Sequence, residues 1–483
     1  MAAGTSAPGK GAPMDMGWRS GQSSAALENR VHRLETRVAA LTEALRVPAH
    51  GLEDLAMTEP ESRQAAEARR QAYDLLPVAD PPPAGPVGAR APDGAAGPAR
   101  RGDDMAGAPV TLFACGDVMT GRGVDQILPH PGDPELREGY IGDARGYVRL
   151  AERASGPIPR PVSFSWPWGD ALPVIAAMAP DVRVTNLETS ITRSGCFAPG
   201  KWVHYRMSPG NVACVAAAQP DVCALANNHV LDFGRAGLEE TLQTLARAGL
   251  TGAGAGRDVT QARQPAAVPV PGGRVLVFSC ADASSGIPPD WAATAVRPGV
   301  DLLPGLTGAA ADALIGRAAA ARQDGDLAIV SIHWGTNWGY AVGEDQVRFA
   351  HRLVDGGIAL IHGHSSHHPR PAEVYRGRLI LYGCGDCIDD YEGISGHAEY
   401  RDDLRLLYFA SLAPGTGALE ELRMVPMQAR KMRLRHARTA DSRWLAATMT
   451  RISRRFGSRI GLQPDGTIAL RAADRAVPSA DGT

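Results

Sequence analysis

Seven residues in this chain are of the types that hold and use a divalent metal: Asp117, Glu188, Asn228, His229, His333, His364 and His367. Carboxylates bridge cations, neutral imidazoles supply nitrogen, and an amide oxygen completes a mixed set that suits transition metals. One or two such ions, about 4 Å apart when paired, lower the pKa of a water and clamp a phosphoryl or acyl transition state. Each residue alone has an ordinary packing explanation. Together they share one property: each follows an apolar run rich in strand formers.

The clearest case is ALANNHVLDFG, residues 224–234. A short apolar strand, residues 221–226, ends in Asn227, Asn228 and His229, and a helical pattern follows. Asn is a poor strand former, and open α/β sheets bind ligands at the carboxyl edge of their strands. The same layout recurs. Asp117 follows residues 110–114 (VTLFA), Glu188 follows 181–185, His333 follows 326–332, and His364 and His367 follow 358–362. Helical patterns at 166–179, 239–248, 309–322 and 346–355 separate these strands, and residues 373–375 with 378–382 form a hairpin. Strands alternating with helices predict an α/β fold, its sheet mixed or parallel and covered by helices.

The 483 residues carry a net charge of −2, with 44% hydrophobic and 21% charged residues. Such a balance is ordinary for a globular protein and gives no footprint for nucleic acid. The Arg-rich residues 430–459 read as a solvated helix face. No run of about 18 apolar residues predicts a membrane span, and the start lacks the basic-then-apolar pattern of a secretory signal, so a cytoplasmic location is expected. Cys115, Cys214, Cys223 and Cys280 lie in apolar runs and read as reduced core residues. Cys384-Gly-Asp-Cys387 is a single C-x-x-C without the second pair that zinc binding requires.

Composition also divides the chain. Residues 1–22 are Gly-, Ser- and Ala-rich and expected to be disordered. Residues 23–78 are expected to be helical, and Leu27, Val31, Leu34, Val38, Leu41 and Leu45 follow the a/d spacing of a coiled coil. This stretch is either an oligomerisation or partner-docking helix or one packed on its own domain. Residues 79–107 are a Pro/Gly linker, 108–425 the globular domain, and 426–483 its closing element.

The series GDVMTGR, NLET, ANNHVLDFG, HWG, GHSSHHPRPAEVY and LILYGCGDCIDDY, in that order, resembles the CapA family of poly-γ-glutamate capsule biosynthesis proteins. That family looks like a branch of the calcineurin-like metallophosphoesterases. The likeness runs over residues 110–412, and KWVHYRM (residues 201–207) and TGAGAGRD fit the same order. It implies a four-layer α-β-β-α sandwich. It also implies Asp117 as a metal ligand, Glu188 as a bridging carboxylate, and Asn228, His333, His364 and His367 as further ligands. His229 becomes the general acid, and Asp232 is placed to hold its tautomer. Arg122 either meets an anionic substrate oxygen through its fork of donors or forms a structural salt bridge.

Two departures stand out. The phosphoesterase pattern has Asp-x-His in its first motif, where this chain has Asp117-Val118-Met119. The ending GDCIDDY carries Asp386 where the family often has Asn; Asp386, Asp389 and Asp390 either bind an additional cation, repel acidic substrates or, as the default expectation, cap a turn. The resemblance thus implies a hydrolase or phosphoesterase using one or two divalent ions (Mn, Fe, Zn or Mg) on an anionic small molecule or polymer. The alternative is an accessory subunit that binds an anionic polyamide for assembly or export without cleaving it.

Overall fold

The computed structural model describes residues 107–471. The expected disordered lead, the heptad helix at 27–45 and nearly all of the Pro/Gly linker lie outside the described residues. The first sheet starts at β1 (Val110–Val118), and β2 (Val182–Leu187), β3 (Val222–Ala224) and β4 (Gly252–Ala253) follow it in parallel on one side. The second sheet contains β5 (Ala266–Val270), β6 (Gly273–Ala281), β7 (Leu327–His333), β8 (Leu360–His364), β9 (Ala372–Tyr375) and β10 (Arg378–Leu381). Its spatial order is β9-β10-β8-β7-β6-β5. The four central strands are parallel and the two edges antiparallel.

The chain then returns to the first sheet. β11 (Asp386–Ile388) pairs in parallel with the end of β1, while β12 (Leu404–Leu412) pairs antiparallel with its beginning and β13 (Leu419–Ala429) with β12. Strand β13 runs past residue 425, so the expected closing element begins inside this sheet, and its strands Ile468–Arg471 and Arg459–Leu462 extend the sheet beyond β13.

Strand alternation sorts the apolar side chains. Leu112 and Ala114 of β1 share one cluster with Val275 and Val277 of β6 and Leu327 and Ile329 of β7. Their neighbours face the other way. Phe113 and Cys115 join Leu238 and Leu245 of α1 (Gly234–Arg247). Leu276, Phe278, Ala328 and Val330 join Leu314 of α2 (Gly308–Ala321) and Phe349 and Leu353 of α3 (Glu344–Asp355). A strand buried on both faces must be apolar throughout, which is why VTLFA and LAIVSI read as unbroken runs. Helix α3 keeps its buried residues at i, i+3, i+4 spacing and places Glu344 and Asp345 in its first turn, where the helix dipole favours acids.

The expected α/β class and most element positions match this structure. The helix expected over 166–179 is shorter, Ala171–Met178, and is preceded by Gly169 at φ 46°. The one expected from 239 starts earlier, at Gly234. Strands β12 and β13 were not foreseen. The largely apolar run of β12, LRLLYFASL, has no period that separates a buried strand from a helix, and β13, LEELRMVPMQA, lacks the strict alternation of a half-buried strand. Among the described residues, no helix is long and apolar enough to cross a membrane.

Candidate metal centre

The strand ends converge. Asp117, His333 and His364 close β1, β7 and β8, and each offers a ligand atom within 4.8 Å of the other two. Register enforces this: β7 and β8 are parallel neighbours with His333 opposite His364, and their Nδ1 atoms lie 2.8 Å apart. Burial holds the His364 imidazole well below the ordinary histidine range, reinforced by His333 and His362, so it is a neutral nitrogen donor. Ser331 Oγ meets His364 Nε2 at 3.0 Å and fixes the ring from behind.

Asp117 is buried, and its hydrogen-bond donors are uncharged. Asn186 Nδ2 donates to Oδ1 at 2.8 Å and the Ser365 N–H to Oδ2 at 3.2 Å. Ser365 holds φ 97°, a conformation side chains rarely adopt, and so turns its N–H onto this carboxylate. Burial, then the neighbouring Asp386 carboxylate, push Asp117 up to about 7, against the Asn186 hydrogen bond. A buried acid that resists ionisation for want of a cation, facing two imidazoles, fits a divalent ion by donor type and by charge.

Asn228 and Glu188 adjoin the triad. Asn228 Oδ1 is 3.1 Å from His333 Nε2, and Glu188 Oε1 is 3.5 Å from the same nitrogen. Glu188 Oε1 also lies 3.9 Å from His229 Nε2. On its other side His229 meets Asp232, Nδ1 to Oδ2, at 2.7 Å, and Tyr205 stacks on the ring at 3.6 Å. Lys201 Nζ donates to Asp232 Oδ1 at 2.6 Å and to the Asn228 carbonyl. Burial alone would push Asp232 up, but His229 and Lys201 together hold it below its ordinary value. The turn itself is built by Asn227, whose Oδ1 accepts the N–H groups of His229 and Val230 at 3.1 and 3.0 Å.

Two residues of the expected site lie differently. His367 is not in the triad; its Nδ1 is 3.0 Å from Asp386 Oδ1. Arg122 has an internal ion pair. Its Nη2 and Nε donate to Asp390 at 2.5 and 3.1 Å, and Nη1 donates to Glu138 at 2.9 Å and Tyr147 at 3.0 Å.

Residues 111–391 match the family model described as bacterial capsule synthesis protein PGA_cap. The chain belongs to this family. It is 54% identical to a probable polyglutamine synthesis accessory protein of Mycobacterium tuberculosis, over 76% of this chain and 97% of that one. It is 28% identical to the PGA biosynthesis protein CapA of Bacillus subtilis, over 63% of this chain and 68% of the relative. A capsule biosynthesis protein CapA of Bacillus anthracis is likewise 28% identical, over 58% and 60%.

Within this PGA_cap chain, sequence reasoning missed the residues that hold the centre from outside. Asn186 opens the NLET motif, yet only Glu188 was singled out there. Lys201 and Tyr205 lie in KWVHYRM, which was noticed for its order and not for its chemistry. The expectation that the three acids of GDCIDDY cap a turn needs correction. Only Asp389 does so, accepting the Tyr391 N–H at 2.9 Å, and it also pairs with Arg405. Asp390 takes Arg122, and Asp386 stands opposite Asp117 across β1 and β11. The reason is burial: acids at 0–6% exposure must find hydrogen-bond donors, and local turn amides are too few. All seven cysteines are free thiols, Cys196 exposed and the rest buried.

Proposed function

We propose that this chain is an accessory protein of poly-glutamate-type polymer synthesis and carries a metal-dependent hydrolytic centre. The reading is carried by one observation: the Asp117–His333–His364 triad lies beside a His229–Asp232 pair whose Nε2 faces the same carboxylate, Glu188. A divalent ion held there would polarise a phosphoryl or carbonyl oxygen as a Lewis acid. Asp117, His333 and His364 would hold it, with Glu188, Asn228 and His367 as further donors. His229 acts as proton donor to the leaving group from Nε2, its Nδ1–H held by Asp232 and its ring fixed by Tyr205. The name of the mycobacterial relative, a probable polyglutamine synthesis accessory protein, supports the polymer setting. The three apolar clusters support the four-layer α-β-β-α arrangement. Residues 27–45 serve in this reading as an attachment segment.

The test is turnover of p-nitrophenyl phosphate, bis-p-nitrophenyl phosphate and γ-glutamyl-p-nitroanilide by the Mn²⁺-loaded protein. His229→Ala should lose turnover and keep its ion, whereas Asp117→Asn should lose both. Full activity in His229→Ala would refute the proton-donor role. A second reading, binding of an anionic polyamide without cleavage, is supported by the burial of the centre: none of its seven residues is more than 5% exposed. Tight binding of glutamate oligomers with no turnover of any probe would select it.

A further inference from the structure

Cys-Gly-Asp occurs twice in this chain, at residues 115–117 and 384–386. The fold lays the two copies side by side. β1 and β11 run parallel with Asp117 opposite Asp386, and the Asp117 N–H donates to the Gly385 carbonyl at 3.0 Å. Glycine sets the approach: a Cβ on Gly116 would sit 1.6 Å from the Gly385 oxygen. Two buried carboxylates are therefore pressed together by the backbone, and only the first belongs to the triad. The second turns both oxygens to His367, at 3.0 and 3.2 Å from Nδ1. Its neighbours in sequence are engaged elsewhere, Asp389 with Arg405 and Asp390 with Arg122.

We propose that Asp386 is a positioning residue of the metal centre. It takes the Nδ1–H of His367, so that Nε2 is the atom this imidazole offers to an ion seated beside Asp117. A carboxylate on one ring nitrogen fixes the tautomer and orientation and strengthens the other nitrogen as a donor. This inference rests on the metal-centre reading above and deepens it, by assigning an acid that the resemblance leaves without a role.

The experiment is calorimetric titration of the chelator-stripped full chain with Mn²⁺, together with its melting temperature before ion is added. Asp386→Leu should bind Mn²⁺ about 100-fold more weakly, and Asp386→Asn, which keeps an acceptor for Nδ1–H, about 10-fold. The ion-free Asp386→Asn protein should melt with the wild type. Wild-type affinity in both variants overturns the proposal. So does a loss of affinity in both variants that tracks a lowered ion-free melting temperature, which marks a purely structural role. Absence of any Mn²⁺ uptake by the wild type would instead sink the metal centre itself, and this assignment with it. Loss of binding in His364→Ala ties the titrated ion to the centre.

Discussion

Two buried charged clusters sit at the carboxyl end of β1, and they are neutralised in opposite ways. Around Arg122, one guanidinium serves Asp390, Glu138 and Tyr147, and the Gly123 N–H adds a further bond to Asp390 at 2.8 Å. Around Asp117, the donors are an amide and a backbone N–H, and the facing groups are imidazoles. The first cluster is complete in itself, whereas the second, in the proposed reading, would take a cation from outside. Burial is the same in both, so the difference lies in partner chemistry and separates a structural ion pair from a proposed ligand set.

The sharpest way to break this comparison is to remove one member from each cluster. Arg122→Ala leaves two acids buried without their cation and should cost about 3–5 kcal/mol in denaturant unfolding. Asp117→Asn, measured without ion, should cost far less or stabilise, because it relieves the contact with Asp386. Equal losses in both would erase the distinction.

Ion addition comes next. At about 100 times its dissociation constant, a divalent ion that binds only the folded chain adds about 2.7 kcal/mol. Thermal unfolding should show this gain in the wild type and no gain in Asp117→Asn. A matching gain in Asp117→Asn would place the ion elsewhere.

The pH dependence of the ion-free protein sharpens the same point. Burial and Asp386 raise Asp117 to about 7, above the ordinary carboxyl value near 4. Between these values the native state holds a proton that the unfolded chain has lost. Its contribution is therefore full below about pH 4 and lost as pH rises toward 7, on the order of a few kcal/mol. Subtracting the Asp117→Asn profile should isolate this slope; parallel profiles for the two proteins would contradict the assignment.

The smallest effect is the surface control. Arg257 and Glu239 form an exposed pair at 2.8 Å, and Arg257→Gln should change stability by less than about 1 kcal/mol. A larger loss would mean that salt bridges here cannot be ranked by burial.

What the sequence made legible follows the same division. Asp117, Glu188, Asn228, His229, His333 and His364 each follow an apolar strand, and a strand end is visible in a linear pattern because burial demands an unbroken run. Register is not visible in this way. Nothing in the spacing of Asp386 places it against Asp117; that follows from the return of β11 beside β1 after an entire second sheet. Arg122 had two readings from sequence because its partner Asp390 lies 268 residues away. The long strand β12 escapes a sequence reading because apolar composition alone carries no period, and β13 because Glu420, Glu421 and Pro426 interrupt its alternation.

The proposed centre stands or falls on an ion held by Asp117, His333 and His364. Its most direct test is metal analysis of the wild type and of Asp117→Asn and His364→Ala, each stripped and then equilibrated with Mn²⁺ or Zn²⁺. Tightly held ion in the wild type and none in either variant is the expected result. Equal ion content in all three, or none in the wild type, would contradict it.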